Sequence, residues 1–229
     1  MNNASINRIA TIKVAKALGH LCEEVIFVGG ATVSLYIDDP AAEDIRPTKD
    51  IDLAFHIITV GELEQLRSDL NQRGFREAVE GKVICRFHLE ELLVDVMSTQ
   101  EVGWAPGNRW FLAGFDSALA VKLDEVRISI LPLPFFLAAK LDAFFDRGME
   151  DVYASTDLED IVYLLIHTSN AIHQIQQTTE EVRAYLKESA HNILKNRSIM
   201  NAIPGHLSYD NPDEQLASIK HILSRIAHI

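Results

Sequence analysis

The sequence predicts an α+β fold: a mixed β-sheet flanked by helices, followed by a helical C-terminal part. Three observations lead there. The β-branched and aliphatic runs VIFV, IDLAF, VICRFHL, LLVDVMS, ALAVKL and VRISIL all fall before residue 132. Beyond Pro132 the apolar residues recur at helical spacing instead. Strands and helices are therefore segregated and do not alternate as in a βαβ series. The change of character places an expected first domain over 1–131 and a second over 132–229.

Each element follows from its residues. Ile6, Ile9, Ala10, Val14, Ala17 and Leu18 share one face of a helix over about 4–21 and are expected to point inward. VIFV is a strand ending in Gly29-Gly30, and ATVSLYI a short helix. DDPAAEDIRPTK, with two prolines, is a polar loop before the strand IDLAF. Thr59 and Glu62 have the spacing of a capping box, and the helix they open carries Leu63, Leu66 and Leu70 inward to about Arg73. VICRFHL and LLVDVMS pair across a turn at Glu90-Glu91, and ALAVKL and VRISIL complete the strands. PFFLAAKLDAFFDRG is a helix with Pro134 in its first turn and Gly148 at its end. Thr156 with Glu159, Thr178 with Glu181, and Asn211-Pro212 with Glu214 start three more. There is no internal repeat or low-complexity segment.

Composition bounds the function. The 229 residues are 48% hydrophobic, enough for a buried core, and carry a net charge of −12, which argues against non-specific nucleic-acid binding. Cys22 and Cys85 show no metal-ligand spacing and read as reduced, buried thiols. The N-terminus lacks a signal peptide's apolar stretch, and no run approaches the ~20 apolar residues of a membrane span. A cytoplasmic protein without a membrane partner is expected. The nine histidines lack ligand spacing, Trp104 and Trp110 flank a Pro106-Gly107 loop, and Lys187, Lys195 and Arg197 read as a solvated helix face.

Three aspartates carry the chemistry. In Asp50-Ile51-Asp52 strand alternation puts both carboxylates on one face and Ile51, Leu53 and Phe55 on the other. Two carboxylates so close repel unless a cation neutralises them, and hard oxygen donors suit magnesium or manganese. Taken alone, the pair could equally serve the preceding turn. Asp95 tips the balance, because it stands on the opposite face of its strand from Val94 and Val96 in an otherwise apolar run. Three carboxylates on neighbouring strands are the donor set of a two-metal phosphoryl-transfer site, where the third can also take a proton from an acceptor hydroxyl. The strand–Gly29-Gly30–helix unit adds a turn that lets backbone N–H groups approach a phosphate, although a plain tight turn has the same form.

FVGGATVSLYI, RPTKDIDLAF and LLVDVMS, in this order, resemble the DNA polymerase beta-like nucleotidyltransferase superfamily. Within it the segment LAAKLDAFFDRGMEDVYASTDLEDIVYLL resembles the AbiEii-like, bacterial toxin-type group, through Lys140, Ala143, Arg147, Asp157 and Asp160. The resemblance spans about residues 25–165. It implies transfer of a nucleotide from an NTP, ATP among the candidates, to a hydroxyl of an RNA end such as tRNA, a protein or a small molecule. Asp50, Asp52 and Asp95 would hold Mg2+ (or Mn2+). Gly29, Gly30, Thr48, Lys140, Arg147 and Asp160 would bind the nucleotide, the helical C-terminal domain completing the pocket. An antitoxin partner is a further implication. Lys140, Ala143 and Arg147 share one helix flank beside the apolar stripe Leu137, Leu141, Phe144 and Phe145. Arg147 could instead form an ion pair with Asp157 or Asp160. The turn departs from many superfamily members in having Gly30 where serine is usual, and the spacer from Gly30 to Asp50 is long and acidic. An aminoglycoside-type transferase and a non-catalytic protein on the same fold are the alternatives.

Overall fold

The computed structural model describes residues 2–78, 85–207 and 211–229. Val83 and Ile84, the first two residues of the expected strand VICRFHL, lie outside them. The chain forms two compact units, one of Met1–Ser34 with Asp44–Pro132 and one of Leu35–Glu43 with Leu133–Ile229.

The first unit holds a seven-stranded mixed sheet, and the chain is an α+β protein. Its strands are β1 (Val25–Val28), β2 (Asp50–Phe55), β3 (Arg76–Glu77), β4 (Arg86–Leu89), β5 (Leu92–Ser98), β6 (Leu119–Leu123) and β7 (Val126–Ile130), in the order β3-β4-β5-β2-β1-β7-β6. β2 runs parallel to β5 and β1 parallel to β7, while the remaining neighbours are antiparallel. The interior strand β1 is buried throughout, as its unbroken VIFV run requires. The Glu90-Glu91 hairpin is formed as expected, with Glu90 in the left-handed conformation at φ 54°.

The helices of this unit are α1 (Asn3–Leu18), α2 (Val60–Gln72) and α3 (Arg109–Phe115). The capping box of α2 is present: Thr59 Oγ1 accepts from Glu62 N–H and Glu62 Oε2 from the Thr59 N–H. Leu63, Leu66 and Leu70 are buried. α1 is rotated from its expected setting. Asn7, Thr11, Val14, Ala15 and Leu18 are buried, whereas Ile6 and Ile9 are 48% and 52% exposed. On the exposed side Arg8 pairs with Asp124, Lys13 with Glu90 and Glu91, and Lys16 with Glu125. ATVSLYI forms a 3₁₀ turn over Gly30–Leu35. α3, which the sequence reads as loop, buries Trp110 and Phe111.

The second unit is helical: α4 (Leu133–Ala143), α5 (Thr156–His167), α6 (Ala171–Gln177), α7 (Glu180–Lys195), α8 (Arg197–Ala202) and α9 (Pro212–Ala227). α4 packs on α5 and α7, and α7 on α9. α4 continues into a π-helical turn over Phe144–Gly148. Two helix starts shift by one residue from expectation. Ser155, not Thr156, caps α5 by accepting the Leu158 N–H, and Thr179 precedes α7. The acidic segment before residue 44 is anchored in this unit. Asp38 accepts from the Ser169 N–H and hydroxyl, Asp39 pairs with His167, and Tyr36 stacks on Phe136. Among the described residues no helix is long and apolar enough to cross a membrane.

Thr59→Ala removes one of the two reciprocal bonds at the start of α2 and is expected to cost about 1 kcal/mol. Urea unfolding should show a lower midpoint with an unchanged slope.

Candidate functional site

Strand register builds the site in the first unit. Asp52 lies opposite Asp95 on the parallel neighbour β5, and Asp95 opposite Arg86 on the antiparallel neighbour β4. Directly opposed residues share a face, so Arg86, Asp95 and Asp52 form one row across three strands. Asp50 stands two residues before Asp52 and joins them. On the other face Ile51, Leu53, Phe87, Val94 and Val96 are buried. Burial of that apolar face puts the charged row on the opposite one, where the side chains of Asp50 and Asp95 are 31% and 13% exposed.

The turn after β1 completes this edge. Val28 is opposite Asp52, and Gly29 follows at φ 73°. A β-carbon on Gly29 would lie 1.7 Å from Asp52 Oδ2, so both the backbone angle and the carboxylate demand glycine there. A β-carbon on Gly30 would come within 2.4 Å of the Arg46 guanidinium. Thr32 ties the turn by donating its N–H and hydroxyl to the Gly29 carbonyl. The Thr48 hydroxyl donates to Asp50 Oδ1 at 3.1 Å. Asp50, Asp52, Asp95, Gly29, Gly30 and Thr48 are thus gathered in one unit around the ends of β1 and β2.

Arg86 is the residue that the sequence reading missed. Its Nε donates to Asp95 Oδ1 at 2.7 Å, and its Nη2 to Asp95 Oδ2 at 2.7 Å and Asp50 Oδ2 at 3.1 Å. The hydrogen bonds to Asp95 raise the guanidinium's pKa still further against the opposing effect of burial, so it is a permanent cation. Burial, reinforced by Asp95, pushes the neighbouring Cys85 thiol up to about 11, which keeps it protonated and unreactive. The signal for Arg86 was present. Once the turn is set at Glu90-Glu91, counting back from the Leu89–Leu92 pair brings Arg86 opposite Asp95. Arg46 had no comparable signal, because a loop has no register.

Three hard carboxylates fit a divalent cation by donor chemistry. Among the described residues no set of three His, Cys, Asp or Glu side chains is disposed to hold one. The cation on two of the carboxylates is Arg86.

In the second unit the expected nucleotide contacts form an ion cluster. Lys140 Nζ lies 2.7 Å from Asp160 and 3.2 Å from Asp157, with all three side chains under 10% exposed. Arg147, 70% exposed at its side chain, donates its Nε to the other oxygen of Asp157 at 2.9 Å. For Arg147 the intramolecular pairing weighed in the sequence is the one formed, and Lys140 shares it. Burial opposes ionisation of Asp157, but Lys140 and Arg147 outweigh it and hold the carboxyl below its ordinary range. Lys140 and its two carboxylates fasten α4 to α5. Ala143 ends α4 just before the π-helical turn that carries Arg147.

The first unit also has an open cleft of about 560 Å³ beyond the other end of β2, between Phe55, His56, Phe115 and the acidic side chains of Glu23, Glu24 and Glu62. It excludes the carboxylate row.

No family model and no curated protein matches the sequence. Solved structures do. An antigenic nucleotidyltransferase-like protein from Paracoccidioides brasiliensis is 16% identical with a TM-score of 0.52, over 90% of this chain and 95% of that one. The antibiotic-resistance factor ANT(2'')-Ia is 13% identical with a TM-score of 0.49, over 85% and 97%. The first likeness shows a shared, nucleotidyltransferase-like fold.

Lys140→Met leaves two buried carboxylates without their ammonium and is expected to destabilise the chain by about 3–5 kcal/mol, measured by chemical unfolding. Because Asp157 has a lower pKa folded than unfolded, its contribution is present above the unfolded value of about 3.9 and is lost as pH falls through the folded one. Between pH 5 and 3 the wild type should therefore lose stability more steeply than Asp157→Asn. Equal slopes would show that Asp157 is not held ionised.

Proposed function

We propose that the first unit is a metal-dependent nucleotidyltransferase that moves a nucleoside monophosphate from an NTP to an acceptor hydroxyl. The observation that carries this reading is the register: Asp52 opposite Asp95, with Asp50 beside them and Gly29 packed against the Asp52 carboxylate. The shared fold with a nucleotidyltransferase-like protein supports it.

In this reading Asp50 and Asp52 hold Mg2+ (or Mn2+) with Asp95 as their third partner. The ion, when bound, neutralises phosphate charge and draws electrons from the reacting phosphorus. Gly29-Gly30 lets backbone N–H groups reach the triphosphate, and the Arg46 guanidinium beside Gly30 suits a phosphate oxygen. The acceptor oxygen attacks the α-phosphorus, its proton passes to a carboxylate oxygen of Asp95, and the bond to the leaving pyrophosphate breaks. Thr48 holds Asp50 in place through its hydroxyl. Lys140, Arg147 and Asp160, expected at the nucleotide from the resemblance, are paired with Asp157 or with one another within the second unit. The toxin-type assignment and an antitoxin partner rest on the sequence resemblance of 25–165 alone.

The test incubates the protein with magnesium, each α-labelled NTP, and separate pools of transfer RNA, protein and small hydroxylated compounds. Label is expected in one pool, and Asp52→Asn should reduce it at least about 100-fold. Transfer that survives Asp52→Asn, or no transfer to any pool together with no NTP binding by calorimetry, would count against the proposal.

A further inference from the structure

Arg86 grips two of the three carboxylates on which the proposed chemistry depends. Both oxygens of Asp95 are engaged by its fork at 2.7 Å, and one oxygen of Asp50 by the same Nη2. A carboxylate bound edge-on by a guanidinium presents that edge neither to a metal ion nor to a hydroxyl proton. The arrangement is only partly buried: the side chains of Arg86, Asp50 and Asp95 are 26%, 31% and 13% exposed. Arg86 sits on β4, which pairs with β3 and β5, and its backbone place in the sheet does not depend on where its side chain points.

We propose that Arg86 is an exchangeable internal counter-ion: it neutralises the carboxylate row in the metal-free protein and must leave it for a divalent cation to bind. This inference rests on the metal-site reading of Asp50, Asp52 and Asp95. The physical reason is competition of two cations for one set of oxygens. Without Arg86 the folded, metal-free protein would hold three carboxylates on one face of adjacent strands, a repulsion that costs stability. With it, the fold tolerates the site before metal arrives, and metal affinity is reduced by the fraction of molecules in which Arg86 is bound to the row. The residue therefore sets the metal concentration at which the site fills.

The test uses the full chain and Mn2+ alone, with free Mn2+ followed by electron paramagnetic resonance and thermal unfolding followed by circular dichroism. Arg86→Met keeps the side-chain length and removes the cation. It is expected to bind Mn2+ about tenfold tighter than wild type, as removal of a state populated nine-tenths of the time predicts. Its metal-free melting temperature should fall below that of wild type, and Mn2+ should raise it by more. Arg86→Lys, which keeps the charge without the fork, should lie between the two and covers the case in which Arg86→Met does not fold. Asp95→Asn should weaken Mn2+ binding. If wild type binds Mn2+ and the Arg86 variants bind it equally or more weakly, the counter-ion role is wrong while the metal site stands. If wild type and variants alike fail to bind millimolar Mn2+, the metal-site reading falls and takes this inference with it.

Discussion

The first unit depends on how it disposes of like charge. β2 and β5 are parallel neighbours in the middle of a sheet, and their register sets Asp52 beside Asp95 with Asp50 one pleat away. Sliding β2 by one residue would relieve the repulsion but turn Ile51 and Leu53 out of the core, and sliding β5 would do the same to Val94 and Val96. Burying an aliphatic side chain contributes about 1.5–3 kcal/mol, so the two on either strand outweigh a repulsion between partly exposed carboxylates that a cation can offset. The core thus enforces the charge cluster, and the cluster in turn explains Arg86 at the paired position on β4 and Gly29 where any side chain would strike Asp52. The apolar face decides the register, and the polar face bears its consequences.

Much of this was legible because strand period and hairpin counting are local properties. β1, β2, β5 and the α2 capping box follow from a few consecutive residues each, and the structure has them. α1 shows where local reading fails. Its apolar residues mark a helix correctly, yet they do not fix its rotation, and Arg8, Lys13 and Lys16 find partners about 80 to 120 positions away. The N-terminus is held likewise by Asp44, which accepts the backbone N–H groups of Asn3 and Ala4. Helix periodicity carries no information about such distant charges.

The site divides along the same line. Alternation alone placed the three aspartates on outward faces, and pairing then aligned them. Lys140 was harder. Its neighbours on α4, from Leu133 to Leu141, are all buried, so no polar side exists on which an ammonium could meet solvent. A lysine in that position must bring its own anions, and Asp157 and Asp160 on α5 supply them. The sequence placed these residues on consecutive helices and so contained the partners, but a motif resemblance assigned them to a ligand. Burial, which periodicity on a helix apolar all round cannot resolve, adds the fastening of α4 to α5.

The two ion clusters share one design and differ in what burial permits. Each sets one basic group between two carboxylates, Lys140 between Asp157 and Asp160 and Arg86 between Asp50 and Asp95. In the second unit every partner of the lysine is almost fully shielded, and separating the charges would strand them in a poorly solvating interior. In the first, water reaches Arg86 and Asp50, so a departing guanidinium is rehydrated and the carboxylates can take another cation in its place. The same electrostatic motif is therefore a permanent fastening where it is dry and a replaceable one where it is wet. Sequence and pairing geometry identify both clusters as attractive, and the exposure of the basic group between the carboxylates is what distinguishes them.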